Sequence, residues 1–359
     1  MFEVDRASGG MKRCGRRWAG ALATAAVTMT PAVCSLVAAP CAVRPVTPVG
    51  AAAWRADPRH LPDPVSSDPA AVAGFLTAAG PDEQRALATA YPGVVGDLDG
   101  APAALRYAAN QRSMRSAGPP YRDRPGRFLL FDPRGDGRVA QVFGDLTTAT
   151  RIAVLVPGSG DRAANFWRGV GGKPFRSPSA QAAGLYEAAA RHGGGLAVIA
   201  WLGYTTPKGV DEAEAREDLA RAGAAALDRF VAGLIALRPH ATVALLGHSY
   251  GSTVIGLAAP RLPHQVTDLA VFGSPGMGVA DVTALGTTAR VWAGQSTRDW
   301  IRWIPGVRVF GLGHGTKPTD PHFGARPFAT ADVTDHDHYL APGTDSLTAL
   351  SRIAAGAAR

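Results

Sequence analysis

Short, continuously apolar runs alternate with helical stretches from residue 152 onward. Each run has the length of a strand and is apolar at almost every position, which is typical of strands that a parallel sheet buries on both faces. The stretches at 179–191 and 211–237 are predicted helices between them. The alternation predicts an α/β domain with a mostly parallel central sheet and helices on both faces. The predicted strands are Ile152–Val156, Leu196–Trp201, Val243–Leu246, Leu269–Phe272 and Arg290–Ala293.

Two further patterns precede these strands. The apolar segments Phe128–Phe131 and Arg138–Phe143 flank a loop at 132–137 that is rich in glycine and aspartate. They predict an antiparallel hairpin that leads into the sheet. Earlier still, residues 68–117 are predicted helices, and Asp68 followed by proline is a typical helix start. We therefore expect an N-terminal helical extension before the sheet.

The first forty residues have the layout of an export signal. Basic pairs at 12–13 and 16–17 precede an alanine-rich apolar run at 18–39. The paired arginines are compatible with twin-arginine export, and Met11 is an alternative start of the chain. We expect an exported protein, secreted or held in the cell envelope. An uncleaved membrane anchor and a cytoplasmic chain are the alternatives.

Composition shifts divide the chain into three predicted parts. Residues 1–53 are assigned to the leader and linker, 54–126 to the helical extension and 127–359 to the catalytic domain. The proline-rich stretch at 40–69 is predicted to be a linker.

Charge and cysteine content exclude several classes of function. The 359 residues are 46% hydrophobic and 18% charged, as in a globular protein. Residues 1–55 hold seven basic and two acidic side chains, so they account for +5 of the net charge of +8. The remainder has no basic cluster with interleaved aromatics, and we expect no nucleic-acid partner. All three cysteines (Cys14, Cys34 and Cys41) lie in the leader, which excludes a thiol nucleophile in the rest of the chain. We expect no cofactor.

The candidate chemistry begins with Gly-His-Ser-Tyr-Gly at 247–251. This pentapeptide follows a predicted strand and precedes a predicted helix. In such a turn the serine has strained backbone geometry and exposes its hydroxyl above the sheet. The glycines are expected because strand and helix pass too close for a Cβ. The pattern predicts Ser249 as a nucleophile, and the alternative is a glycine-rich turn with an idle serine.

Several separate segments of the chain have a recognisable pattern. They are Tyr91–Gly100 with Arg106 and Asn110, Val156–Gly160, Gly247–Gly251, Phe272–Gly276, and His336–Leu340 before Pro342 and Gly343. Together these segments resemble the actinobacterial α/β-hydrolase family of unknown function. The resemblance covers roughly residues 80–350 and implies the α/β-hydrolase fold with a Ser/Asp/His site, but no substrate.

In this fold the acid and then the histidine follow the nucleophile along the chain. Asp299 lies in the loop after the predicted strand at 290–294, and it is the predicted acid. Asp332 and Asp335 are alternatives, although both lie close in sequence to the histidine candidates.

The histidine is expected in the last loop, in Asp-His-Asp-His at 335–338. The resembled family has a histidine, two variable residues and then a tyrosine, which implies His336. His338 is the alternative base. The same four residues are also compatible with a metal cluster, but further ligands at recognisable spacing are lacking and we expect no metal.

Acyl transfer also needs two backbone donors for an oxyanion. The N–H of Tyr250, directly after the nucleophile, is the first predicted donor. The second is expected in the loop after Ile152–Val156, where Ser159 is predicted and Gly158 is the alternative.

Other conspicuous side chains receive weaker assignments. His248 is expected to orient or pack the turn, while His314 and His322 receive no role. Aromatic residues in predicted loops either line an acyl pocket as a partial lid or cover the end of the sheet. They are Phe166, Trp167, Tyr204, Trp300, Trp303, Phe310 and Phe323.

These residues together predict a serine hydrolase that cleaves ester or related acyl bonds through an acyl-enzyme intermediate. The substrate is expected to be a small-molecule or lipid-like acyl compound, with possible envelope association through the leader. A non-catalytic envelope or binding protein on the same scaffold is the first alternative, because fold does not dictate function. An acyltransferase that uses the same triad is the second.

Overall fold

Eight strands form the central sheet, and helices pack on both of its faces. The structure, a computed structural model, describes residues 46–209, 217–306, 308–309 and 312–358. The strands are β1 (Arg127–Asp132), β2 (Arg138–Gly144), β3 (Arg151–Val156), β4 (Leu196–Leu202), β5 (Thr242–His248), β6 (Val266–Phe272), β7 (Arg290–Gly294), β8 (Arg308–Val309), β9 (Leu312–Gly313) and β10 (Arg326–Pro327). The helices are α1 (Ala51–Arg55), α2 (Pro69–Ala90), α3 (Pro92–Asp97), α4 (Ala103–Ala117), α5 (Pro178–Ala190), α6 (Asp218–Leu237), α7 (Tyr250–Ala258) and α8 (Asp345–Ala355).

The strand order across the sheet is β1-β2-β4-β3-β5-β6-β7-β10, and β8 and β9 pair separately. β1 and β2 form an antiparallel hairpin, and β2 runs antiparallel to β4. The remaining pairs in the large sheet are parallel. This arrangement confirms the predicted fold class, including the hairpin that leads into the sheet. Each predicted strand is present, with small shifts at its ends.

Alternate residues of the central strands enter two different apolar cores. In β3, Ile152 and Val154 pack in one core with α6 and α7. Ala153 and Leu155 pack in the other core with α5 and α8. Successive side chains of a strand point to opposite faces, so a strand that is covered on both faces is apolar at every position. Burial of one such Val, Leu or Ile side chain contributes about 1.5–3 kcal/mol.

The helices of the sheet region also follow the predictions. α5 lies within one residue of the predicted helix at 179–191. α6 ends at Leu237, as predicted, and the described part of it begins at Asp218. The predicted start of this helix at residue 211 lies outside the described residues.

The N-terminal extension, α1–α4, has a small apolar core of its own. Asp68 caps α2 by accepting hydrogen bonds from the N–H groups of Ala70 and Ala71. α2 is kinked at Gly80, which has a φ of 76° and is followed by a proline.

The predicted linker at 40–69 is wrong for the part that the structure describes. Trp54 of α1 is fully buried, and its Nε1 donates a hydrogen bond to the Pro62 carbonyl at 2.7 Å. Its ring packs edge-on against Tyr91 at 5.4 Å. The Trp54 side chain thus anchors this stretch to the extension. The proline-rich composition of the stretch gave no indication of this contact.

The leader lies outside the described residues, and so do its three cysteines. Within the described ranges, no helix is both long enough and apolar enough to span a membrane.

Two polar side chains of α4 fasten the extension to the outer strand of the sheet. Arg106, only 2% exposed, donates to the carbonyls of Gly96 and Leu129 and pairs with Asp99 at 3.1 Å. Asn110 donates to the carbonyls of Gly96 and Phe128 at 2.9 and 2.8 Å. β1 is an edge strand, and these donors satisfy carbonyls that would otherwise lack partners.

We expect Arg106→Ala to lower the free energy of unfolding by about 1–3 kcal/mol, since it leaves the buried Leu129 carbonyl without its donor and Asp99 with Arg229 alone, 3.7 Å away. Urea denaturation followed by circular dichroism measures this loss. Arg112→Ala, on the exposed face of the same helix, is the matched control and should change stability by less than about 0.5 kcal/mol. Equal effects of the two substitutions would contradict the fastening role.

Candidate active site

Ser249 occupies a sharp turn between β5 and α7. Its φ is 51° and its ψ is −126°, and among the described residues the only other non-glycine with positive φ is His60. The turn is held by a hydrogen bond from the Ser249 N–H to the Phe272 carbonyl at 3.0 Å, and by one from the Ser252 hydroxyl to the Ser249 carbonyl. Such strain is typical of functional positions and costs about 1–3 kcal/mol.

The two glycines of the turn are required by different neighbours. A Cβ on Gly247 would lie 3.0 Å from the carbonyl carbon of Gly251, as the predicted approach of strand and helix implies. A Cβ on Gly251 would lie 2.4 Å from the carbonyl oxygen of Val156, at the end of β3. The second glycine therefore makes room for the neighbouring strand rather than for β5.

His336 contacts both predicted triad partners. Its Nε2 lies 2.9 Å from Ser249 Oγ, and its Nδ1 lies 2.9 and 3.0 Å from the two carboxylate oxygens of Asp299. Asp299 accepts, so the Nδ1 carries a proton. In the neutral ring the Nε2 is then left as the acceptor for the serine hydroxyl.

Asp299 is held in one orientation by three donors. Besides His336, it accepts hydrogen bonds from the Tyr339 hydroxyl at 2.7 Å and from the Ile301 N–H at 2.8 Å. Burial acts to raise the pKa of this carboxyl. The pKa nevertheless lies below its usual range, because three groups favour the ionised form. They are His336, through its hydrogen bond and its charge, the Tyr339 hydroxyl and the Ile301 N–H. Asp299 is therefore ionised at neutral pH.

Tyr339 is a site residue to which the sequence predictions gave no role. Its hydroxyl accepts from the Ser296 N–H at 2.9 Å while it donates to Asp299. Burial and the nearby Asp299 charge raise its pKa, so the hydroxyl keeps its proton. The available signal was its position three residues after His336, in the motif that carried the family resemblance.

The alternative acid and base candidates lie apart from the serine. His338 Nδ1 pairs with Asp335 at 2.7 Å, and its ring stacks on Phe175 at 4.1 Å. Asp332 accepts the backbone N–H of Asp345 at the start of α8. The contact network thus includes Ser249, Asp299 and His336, and none of these three alternatives.

His248 braces the loop that carries His336. Its Nε2 lies 2.8 Å from the backbone carbonyl of His336, and the two rings are 4.8 Å apart. Burial lowers the pKa of His248 to about 3, so the ring is neutral and donates its Nε2 proton to that carbonyl. The expected orienting role therefore extends beyond the turn to the neighbouring loop.

The residues predicted to supply the oxyanion donors lie near Ser249, directly after it and at the same cavity. Tyr250 is the first residue of α7, where backbone N–H groups point out of the helix end. On the other side, Gly158 packs so closely that a Cβ on it would lie 2.8 Å from Ser249 Cβ. Ser159 follows and lines the same cavity as Ser249.

The cavity at Ser249 has a volume of about 140 Å³. His336 and Trp300 line it, and their rings are 5.0 Å apart. A larger cavity of about 330 Å³, lined in part by Arg106 and Phe230, includes none of the three triad residues. In that cavity, Arg106 pairs with Asp99 and donates to the Leu129 carbonyl, contacts that hold the extension against β1.

The aromatic residues for which a partial lid and a cover over the end of the sheet were the alternatives differ in burial. Phe166, Tyr204 and Phe323 are buried in the cores, so the lid interpretation is wrong for them. Trp167 is partly buried against the second core. Trp300 is 41% exposed and lines the active-site cavity, and Trp303 is 75% exposed. Phe310 lies outside the described residues.

Across the described ranges, no group of three or more His, Cys, Asp or Glu side chains is arranged to hold a metal ion. In the 335–338 segment, the two histidines have different partners: His336 contacts Asp299, and His338 contacts Asp335.

Comparison with known proteins places the chain in a family. Residues 132–309 match a family described as "Alpha/beta hydrolase". An uncharacterized protein of Mycobacterium bovis is 31% identical over 246 residues, which cover 65% of this chain and 80% of that protein. The chain belongs to the actinobacterial α/β-hydrolase family of unknown function.

A second relative, an uncharacterized protein of Mycobacterium tuberculosis, is 28% identical over 319 residues. The match covers 76% of this chain but 47% of that protein, so the chain spans about half the length of this relative. Among solved structures, the esterase domain of a Rhodothermus marinus protein is 15% identical to this chain, with a TM-score of 0.36. The match covers 65% of this chain and 97% of that domain. Esterase PE8 is 14% identical, with a TM-score of 0.41, and the match covers 60% of this chain and 97% of the esterase.

We expect Tyr339→Phe to lower the free energy of unfolding by about 1–3 kcal/mol, because the buried Ser296 N–H and Asp299 both lose a partner. Denaturant titration measures the change. Tyr186→Phe is the control, since the Tyr186 hydroxyl forms no hydrogen bond to the part of the chain that the structure describes. A Tyr339→Phe protein as stable as this control would show that the hydroxyl does not hold Asp299.

Proposed function

We propose that this protein is a serine hydrolase that cleaves ester or related acyl bonds, with Ser249 as nucleophile, His336 as base and Asp299 as the orienting acid. The observation that carries the proposal is the unbroken contact chain from Ser249 Oγ through His336 to the buried Asp299. The positive φ of Ser249 and its place between a parallel strand and a helix support the same role.

The first half of the reaction acylates the serine. His336 Nε2 accepts the hydroxyl proton while Ser249 Oγ bonds to the carbonyl carbon of the substrate. Asp299 stabilises the imidazolium that forms. The tetrahedral intermediate then collapses as the bond to the leaving alcohol breaks and Nε2 returns the proton to the alcohol oxygen.

The second half releases the acyl group. Nε2 deprotonates a water molecule that attacks the acyl carbonyl, and the ester bond to Ser249 breaks as the serine regains its proton. The backbone N–H groups of Tyr250 and Ser159 are the proposed donors to the oxyanion in both halves. If an alcohol replaces water, the same steps give acyl transfer.

A non-catalytic protein on the same scaffold would have no need for a contact between the serine and a histidine. The separation of 2.9 Å between Ser249 Oγ and His336 Nε2 therefore favours catalysis. The strained Ser249 backbone would also be an unexplained cost in a purely structural protein.

We expect a fluorophosphonate probe to label the wild-type protein and not Ser249→Ala. Asp299→Asn and His336→Ala should each lower kcat for an ester by about 10⁴-fold, because the base is misoriented in the first and missing in the second. Rates of p-nitrophenyl acetate hydrolysis and mass spectrometry of the labelled protein provide the measurements.

His338→Ala is the matched control, and it should hydrolyse the ester at close to the wild-type rate. Loss of activity in His338→Ala with normal turnover in His336→Ala would transfer the role of base to His338. Equal labelling of Ser249→Ala and wild type would rule out the proposed nucleophile.

We also propose, from the sequence of the leader alone, that the protein is exported. Deletion of residues 12–39 should retain the protein in the cytoplasm, because the basic and apolar parts of the signal are removed. Cell fractionation measures this, and full-length Ser249→Ala is the control that should be exported normally. A full-length chain found intact in the cytoplasm would contradict export.

A further inference from the structure

A second carboxyl group, which the proposed mechanism does not use, lies at the active-site cavity. Asp161 follows the predicted oxyanion loop and lines the same cavity as Ser249. The residue is only 8% exposed. Its Oδ1 is buried and has no hydrogen-bond partner among the described residues.

An unpartnered buried carboxyl group is costly, and such groups in native proteins call for an explanation. Burial raises the pKa of Asp161 well above its usual range, although the nearby Arg176 acts in the opposite direction. The neutral form has both a donor and an acceptor. The fold gains nothing from such a group, whereas a bound molecule with a hydrogen-bonding group would satisfy it.

A second polar atom beside the cavity has the same property. Ser159 Oγ is buried without a hydrogen-bond partner in the described part of the chain. Ser159 and Asp161 are two residues apart on one loop, and both line the cavity. Two unsatisfied polar atoms at one wall indicate that this wall is built for a polar part of the substrate.

The charges around the cavity favour an uncharged group. Arg176 and Asp337 pair at 3.2 Å, and the exposed Lys208 lines the same cavity. An ammonium group would be repelled by Arg176 and Lys208, and a carboxylate or phosphate would be repelled by Asp337. A hydroxyl group, which both donates and accepts, meets neither conflict.

The volume of the cavity limits the rest of the substrate. About 140 Å³ is well below the range of about 300–1,000 Å³ that is typical of sites for drug-sized ligands. Val170 and Trp300 are the only large apolar side chains among the described lining residues. A long acyl chain would find little apolar surface there.

We propose that Asp161 binds a hydroxyl group of the substrate, and that the substrate is a short-acyl ester bearing a free hydroxyl, such as a partly acylated polyol. The proposal rests on the proposed hydrolase function and narrows its substrate class. It departs from the lipid-like substrate that the sequence left open.

Two pairs of esters that differ only by a hydroxyl in place of a methyl group test this. The first pair is 2-hydroxyethyl acetate and propyl acetate, with the hydroxyl on the alcohol side. The second is ethyl glycolate and ethyl propionate, with the hydroxyl on the acyl side. The measured quantity is the ratio of kcat/KM within each pair, and comparison of this ratio between variants cancels the intrinsic reactivity of the esters.

We expect Asp161→Leu to lower this ratio at least about tenfold in one pair, since a site built for a hydroxyl discriminates strongly against its absence. Asp161→Asn, which keeps a donor and an acceptor in nearly the same volume, should retain most of the ratio. Asp82→Leu, at an exposed position of α2, is the control and should leave both ratios unchanged.

Thermal unfolding gives an independent readout. Because Asp161 Oδ1 is buried without a hydrogen-bond partner among the described residues, Asp161→Asn and Asp161→Leu should have a Tm equal to or above that of wild type. A fall of several degrees in both variants would assign the carboxyl a structural role and overturn the proposal.

The outcomes also separate this inference from the function on which it rests. If the fluorophosphonate labels Ser249 but Asp161→Leu leaves both ratios unchanged, only the hydroxyl-binding role fails. If wild type is neither labelled nor active on any of the four esters, the hydrolase function fails and the inference fails with it.

Discussion

The backbone of Ser249 is the constraint on which the site depends. Its positive φ turns the chain from β5 directly into α7, and the glycines on either side let strand, helix and the end of β3 meet without side chains between them. The strain is maintained because fixed neighbours surround the turn: the Phe272 carbonyl on β6 and the backbone of β3. A looser turn would lower the strain, but it would also release the hydroxyl from His336.

The other parts of the site come from loops at the same edge of the sheet. In a parallel sheet the carboxyl ends of neighbouring strands share one edge, so the loops after β3, β5 and β7 meet there. Gly158 lies on the loop after β3, Asp299 lies on the loop after β7, and His336 lies on the loop before α8. Hydrogen bonds from Tyr339 and His248 then fix Asp299 and the loop that carries His336, so their geometry does not depend on a bound molecule.

Buried polar side chains of the extension and of the cavity at Ser249 differ in what they contact. Arg106 and Asn110 are buried, and their donors are matched to carbonyls of the extension and of β1, although Asn110 Oδ1 has no partner among the described residues. Asp161 is buried and Ser159 is half-buried, and each has a buried polar atom without a described partner beside the cavity at Ser249. The contacts of the first pair stabilise the fold, whereas a bound molecule with a hydrogen-bonding group would offset the cost of the second pair.

The sequence by itself determined the fold class and the strands, because burial on both faces imposes continuous apolar runs. It also made Ser249, Asp299 and His336 the candidate site residues, because they occur in the chain order of this fold. Local patterns could not assign Tyr339, nor link His248 to the base loop, since both contacts join residues that are distant along the chain. Packing also decided that Phe166, Tyr204 and Phe323 belong to the cores and that Trp54 anchors a stretch that resembled a linker. Hydrophobic pattern is a local property of the chain, whereas partner choice and burial of single side chains depend on which segments the fold brings together.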